Sequence, residues 1–153
     1  ENWAEREKLR FEFWNQLLLK ANSKTSLHST NNPTRSSWLT TRLGLPTGLE
    51  LLYRINMHQA RVELYIDKGH DKRKENLEVF DYLYTKKEEI ENHFGAGLVW
   101  DNSDSKRACS VSTVVIEKGY QESQDEWDMI EEKMIDSMIA FEKALKPYLQ
   151  KIK

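Results

Sequence analysis

The residues best suited to chemistry lie in two places. The first is the segment Asn31-Asn32-Pro33-Thr34-Arg35-Ser36-Ser37-Trp38-Leu39-Thr40-Thr41-Arg42, which combines hydroxyls, two guanidinium groups and an indole with no acid. Guanidinium and hydroxyl groups donate to phosphate oxygens, and an indole stacks on a nucleobase. The alternative for Trp38 is a plug that anchors a long loop in the core. The second is a strand pattern whose alternation puts Arg54, Asn56, Arg61 and Glu63 on one face. Cross-strand Arg–Glu pairing also decorates ordinary sheets. The segment leads directly into the first of these strands, so both features can meet in a small basic cleft. Arg35, Trp38, Arg42, Arg54, Asn56, Arg61 and Glu63 are therefore the expected nucleic-acid contacts. No residue is assigned a catalytic role.

Catalytic templates fail on spacing. The chain has no Gly-x-Ser-x-Gly, no Walker loop and no dinucleotide fingerprint. His28, His58, His70 and His93 lie in different elements, so no metal site and no cofactor are expected. A restriction-nuclease core needs an Asp and then Glu-x-Lys on a neighbouring strand to hold a metal and a water. Here the strand offers Glu63-Leu64-Tyr65, without the lysine. Cys109 sits inside a strand pattern and reads as a small core residue.

The elements that must position these residues follow from hydrophobic period and punctuation. Residues 2–22 read as an amphipathic helix capped by Asn2 with Glu5 as its box partner, burying Leu9, Phe13, Trp14, Leu17 and Leu18. Residues 23–47 form a long polar stretch broken by Pro33 and Pro46; Leu27, Trp38, Leu39 and Leu43 argue that it is packed down. Loops longer than about 12–15 residues are uncommon in compact domains and are often functional. Residues 49–57 and 60–67 alternate as a β-hairpin with one apolar face. Residues 76–94 form one helix, closed by Gly95. A second hairpin spans about 97–102 and 107–116. Ser123 caps the last helix with Glu126 completing the box, and Trp127, Ile130, Met134, Met138, Phe141, Leu145 and Leu149 mark its buried stripe. The expected fold is α+β: an N-terminal helix and two ββα units, forming a mostly antiparallel four-stranded sheet with helices on one face.

The chain has 153 residues, 39% hydrophobic and 31% charged, which fits a single domain over 1–153. Its longest aliphatic runs are three residues, against the roughly 20 a membrane span needs. One cysteine excludes an internal disulfide, and a cytoplasmic location is expected. The net charge of −2 hides an asymmetry. Phe13 to Leu49 contains Lys20, Lys24, Arg35 and Arg42 and no acid, a balance of +4. Glu117 to Lys143 contains nine acids and three bases, a balance of −6. The chain opens on Glu1-Asn2-Trp3 without Met or a signal-peptide pattern, and reads as a piece of a longer protein.

A resemblance joins these observations. Arg10-Phe11-Glu12-Phe13-Trp14, Ala21-Asn22-x-Lys24-Thr25 and Trp38 are followed by Ala60-Arg61-Val62-Glu63-Leu64-Tyr65-Ile66-Asp67-x-Gly69. Asn76, Phe80-Asp81-x-Leu83, Lys87-Glu88-Glu89-Ile90-Glu91, Phe94-Gly95, Leu98-x-Trp100, Lys106-Arg107-Ala108, Trp127 and Pro147-Tyr148-Leu149 complete the pattern. From about residue 6 to 150 it resembles the bacterial domain of unknown function family numbered 4268. The resemblance implies a C-terminal domain that follows a restriction-endonuclease-like nuclease domain, in DNA processing or defence. It supplies no catalytic residues. The family's Lys-Asp-like pair between Pro33 and Trp38 is replaced here by Arg35 with no acid. The leading expectation is a non-catalytic accessory domain that binds DNA or RNA beside the nuclease. The alternatives are a protein-interaction or homodimerisation module built on the acidic last helix and the sheet edges, and an enzyme with a site near Arg61 and Glu63.

Overall fold

The computed structural model describes residues 3–41 and 43–152. Helix α1 (Trp3–Asn22) buries Arg10, Phe13, Trp14, Leu17, Leu18 and Ala21. These positions recur three and four apart, which makes one stripe on a helix. The expected Asn2 cap lies outside the described residues. Strands β1 (Trp38–Thr40), β2 (Leu49–Ile55), β3 (Ala60–Ile66), β4 (Val99–Asp101) and β5 (Cys109–Ile116) form one sheet in the order β1-β2-β3-β5-β4, with every pair antiparallel.

The fold is thus α+β with an N-terminal helix, but the sheet has five strands rather than four. The addition is β1, which comes from the polar stretch 23–47. Three residues of Trp-Leu-Thr carry too little alternation to read as a strand. Their conformation comes from pairing with β2, and the loop that delivers them is anchored on α1, where Arg10 Nε donates to the Arg35 carbonyl at 2.8 Å and the Trp14 indole N–H to the Ser36 carbonyl at 2.9 Å.

The helix expected over 76–94 is two helices, α2 (Arg73–Tyr84) and α3 (Lys87–Phe94). At the break, the Thr85 hydroxyl donates to the Tyr82 carbonyl at 2.6 Å and the Lys86 N–H to the Leu83 carbonyl. A side-chain hydroxyl competing for backbone carbonyls is a known interruption of a helix. The break lets α2 lie on β3 and β5 while α3 packs on α4 (Gln124–Leu149), with Phe94 edge-on to Phe141. The hairpin-then-helix order therefore occurs twice, but the first helix is split.

Gly95 closes α3 at φ 95, a left-handed conformation in which a Cβ is strained. Ser123 precedes α4 in extended conformation, but its side chain makes no capping bond. The expected box partner, Glu126, is drawn instead to Lys118 at 2.6 Å.

Helices cover one face of the sheet only. Alternation sends Leu49, Leu51, Tyr53 and Ile55 of β2 and Ala60, Val62, Leu64 and Ile66 of β3 inward. Trp14, Phe80 and Trp127 belong to this one core, with Phe94 partly buried against it. Phe13 meets Trp14 and Trp127 edge-on at centroid distances of 5.5 and 5.2 Å. No helix among the described residues is long and apolar enough to cross a membrane.

Candidate nucleic-acid interface

The face of the sheet away from the helices is open, and register fixes what stands on it. Trp38 is the Cα partner of Arg54, Arg54 of Arg61, and Arg61 of Val114. One row across the sheet therefore reads Trp, Arg, Arg, Val. In the next row Thr40, Leu52, Glu63 and Ser112 follow each other in the same way. Trp38 is 47% exposed, so it is not a core plug.

Glu63 has the opposite fate. Although on the open face, it is only 4% exposed, because two guanidinium groups lie over it. Arg54 donates from Nε and a terminal nitrogen to one oxygen, at 3.0 and 2.8 Å. Arg61 reaches the other oxygen at 3.4 Å and the Ser112 hydroxyl at 2.8 Å. Arg54 also lies 5.8 Å from the centroid of the Tyr65 ring. A carboxylate in this position orients the two arginines and cancels one of their charges. Each guanidinium has five N–H donors, so both retain donors beyond those spent on Glu63.

Not every expected contact joins the row. Arg42 lies outside the described residues. Asn56 is not on the strand face, because β2 ends at Ile55 and Asn56 opens the turn to β3. Its side-chain oxygen accepts the His58 N–H at 2.8 Å and its own N–H goes to Gln59. Asn and Asp favour this local bond at turns. Arg35 is exposed on the loop before β1, its guanidinium 5.3 Å from the Phe11 ring.

The loop is held from within. His28 Nε2 and the Tyr53 hydroxyl are 2.7 Å apart in the core. Burial pushes the His28 pKa down to about 4, against smaller opposing effects of the Asn31 side chain and the Leu27 backbone. Asn31 donates to the Thr40 carbonyl at 2.6 Å, and Thr34 donates to the Trp38 carbonyl at 3.2 Å.

Two hollows meet at Trp38. One, of about 510 Å³, is walled by Asn31, Asn32, Thr34, Ser36 and Thr41 over leucines, with Glu50 its one charged wall among the described residues. The other, of about 730 Å³, is lined by Arg6, Arg10 and Arg35 together with Glu7, Glu117 and the 56–59 turn. The first hollow was visible in sequence only as a run of hydroxyls and amides. Tyr65 was missed as a site residue, although it lies two residues beyond Glu63 and so shares its face.

The charge asymmetry resolves differently from a free basic patch facing a free acidic helix. Lys20 of α1 contacts Asp128 and, at 2.6 Å, Glu131 of α4. Lys24 contacts Glu132 and Asp136 at 2.6 and 2.7 Å. Half of the basic surplus is thus spent inside the molecule. Glu131 is fully buried, and burial raises its carboxyl to about 7 despite Lys20. Among the described residues no three His, Cys, Asp or Glu side chains come together as a metal site.

A model of the family described as Domain of unknown function (DUF4268) matches residues 9–149, and the chain belongs to that family. No curated protein and no solved structure matches it. The family-pattern residues divide in two on this fold. Arg61 and Glu63 stand on the open face. Asp67, Asn76, Glu91 and Arg107 instead tie loops together: Asp67 pairs with Arg107 at 2.7 Å, and Asn76 accepts from the Lys68 N–H and donates to the Arg107 carbonyl. Glu91 accepts from the Leu98 N–H and the Trp100 indole.

Proposed function

We propose that this chain is a non-catalytic nucleic-acid-binding accessory domain, acting beside a nuclease domain in DNA processing or defence. The observation that carries the reading is the exposed Trp38 in one row with Arg54 and Arg61 on an uncovered sheet face. An indole offers a stacking plane, and guanidinium groups next to it offer phosphate contacts. The nuclease partner and the bacterial setting come from the family likeness alone. The enzyme alternative at Glu63 is disfavoured, because both its oxygens already accept guanidinium N–H groups.

The binding should be weak and salt-sensitive. Each neutralised phosphate contributes about −0.9 to the log–log salt slope on duplex DNA and about −0.7 on a single strand, and few free cations flank Trp38. Tethering to a second domain would raise the effective concentration. Fluorescence anisotropy with labelled oligonucleotides at two salt concentrations tests the reading, comparing wild type with Trp38→Ala and Arg35→Ala. The expected result is binding at low salt that both substitutions weaken. Absence of binding to any nucleic acid at low salt removes it.

A protein-docking role, with a second copy of the chain as one form of it, is favoured by exposed Val99 and Val114 on the same open face. Sedimentation or light scattering of the isolated chain separates a dimer from a monomer.

A further inference from the structure

Trp38 stands between two hollows of different chemistry. The hollow on one side is walled by Asn31, Thr34 and Thr41, whose side chains bond the protein's own backbone, and by Asn32 and Ser36 over a leucine floor, and its one charged wall among the described residues is a carboxylate, Glu50. The hollow on the other side is lined by arginines from α1 and by Arg35. The nucleotide unit has the same division: a flat, neutral, hydrogen-bonding base and an anionic phosphate. Resting on the nucleic-acid reading above, we propose that Trp38 seats one unpaired nucleotide, with its base on the indole and turned into the amide-lined hollow and its phosphate on the arginine side. The ligand class is then single-stranded nucleic acid.

Three observations support this over a duplex ligand. Bases in a duplex are stacked on each other, so an indole gains a stacking partner only from an unpaired base. The amide-lined hollow, about 510 Å³, lies within the range of about 300–1,000 Å³ typical of small-molecule sites. The cation supply is also small: Lys20 and Lys24 face α4, and Glu7 and Glu117 stand among the groove arginines. A surface of this kind cannot draw its affinity from counterion release alone.

The walls are built rather than incidental. Arg10, itself buried, lies 6.0 Å from the Trp3 ring and holds the Arg35 carbonyl, so it joins α1 to the loop that carries Trp38. Asn31 and Thr34 fix the backbone of β1 from the other side. Glu50 gives the amide-lined hollow a chemical bias. A carboxylate accepts from the exocyclic amino group of cytosine, and by the same geometry from that of adenine; thymine has none. Amino-bearing bases should therefore be preferred.

The test measures anisotropy of the whole chain with labelled dC12, dA12 and dT12 and with a 12-base-pair duplex, across a salt series. Expected is tighter binding of single strands than of duplex at equal salt, with dC12 and dA12 ahead of dT12. Glu50→Ala should erase that ranking, and Arg35→Gln should keep it while reducing the single-strand salt slope by about 0.7. Trp38→Ala should weaken all three single strands by roughly 5- to 150-fold, the range for one lost base stack. Glu50 and Arg35 are exposed, so neither variant depends on refolding the core. Duplex binding equal to or tighter than single-strand binding overturns this proposal but leaves the nucleic-acid reading standing. So does a base ranking that survives Glu50→Ala. Failure of every oligonucleotide to bind removes both.

Discussion

The two ends of the sheet handle polar residues in opposite ways. Around β4 and the loop before β5, polar side chains are consumed by holding the chain together. Arg73 donates to the carbonyls of Lys106 and Arg107, Asp67 pairs with Arg107, Lys106 with Asp101, and Glu91 binds Leu98 and Trp100. Around β1 the backbone is held by a few residues of α1 and the loop, and Trp38, Arg35 and Asn32 are left facing solvent. A polar residue whose donors and acceptors are all spent on its own chain has little left for a ligand. The β1 end is therefore where recognition should be sought, and most of the family-pattern residues of the β4 end are explained by folding.

The largest expected effect lies at the closed end. Phe80 is buried beside Tyr84 and edge-on to Trp100, at centroid distances of 5.9 and 6.0 Å. Phe80→Ala should cost about 3–5 kcal/mol in urea denaturation, the usual loss for a large core aromatic. A loss below about 1 kcal/mol would show that this end is less tightly packed than the comparison requires.

Acid should open the two ends in sequence. The unfolded chain protonates His28 below about pH 6.5, whereas the folded chain resists until about pH 4. The stability from a neutral His28 is therefore complete above pH 6.5 and is lost as pH falls through 4, about 3 kcal/mol in all. Asp101 is held down at about 2, chiefly by its hydrogen bond from Lys106, so its contribution persists to much lower pH. Amide exchange should show residues 28–41 losing protection between pH 6.5 and 4 while 98–108 remain protected. Glu131 has the opposite sign: its contribution is full below about pH 4.5 and is lost as pH rises through about 7. His28→Gln isolates the first effect, and an unchanged pH profile in that variant would refute it.

The smallest expected effect is the most diagnostic. Trp38→Ala should change stability by no more than about 0.5 kcal/mol, as surface substitutions usually do. Its thermal unfolding would betray a hidden structural role through a clear drop in Tm, and the contrast between the two ends would then fail.

Much of this fold was legible because its long elements carry strong periods. The stripes of α1 and α4 and the alternation of β2 and β3 each state which face is buried. What was illegible depends on partners distant in sequence. The strand at Trp38–Thr40 is made by pairing with β2, and the loop before it is held by Arg10 and Trp14, more than 20 residues earlier. The break at Thr85 has no Gly or Pro to mark it. The basic and acidic stretches could be counted, but a count does not say that Lys20 and Lys24 face α4. Of the candidate site, the types at Trp38, Arg54, Arg61 and Glu63 could be read. That Glu63 lies beneath both arginines could not, because it depends on side-chain reach along β3 and across to β2.

The two bonds that Asn31 and Thr34 make to β1 also bear on how this chain behaves in company. With Ser37 and Thr41 bonded to β2, the alternation of an antiparallel strand turns the carbonyls of Trp38 and Thr40 away from the sheet. An outer strand with bare acceptors is a template on which another strand can add, and aggregation starts from such rims. Here both acceptors are filled by side chains of the same loop. The molecule can thus leave a tryptophan in the open on this strand while withholding from a neighbouring copy the two carbonyl acceptors it would use to lengthen the sheet.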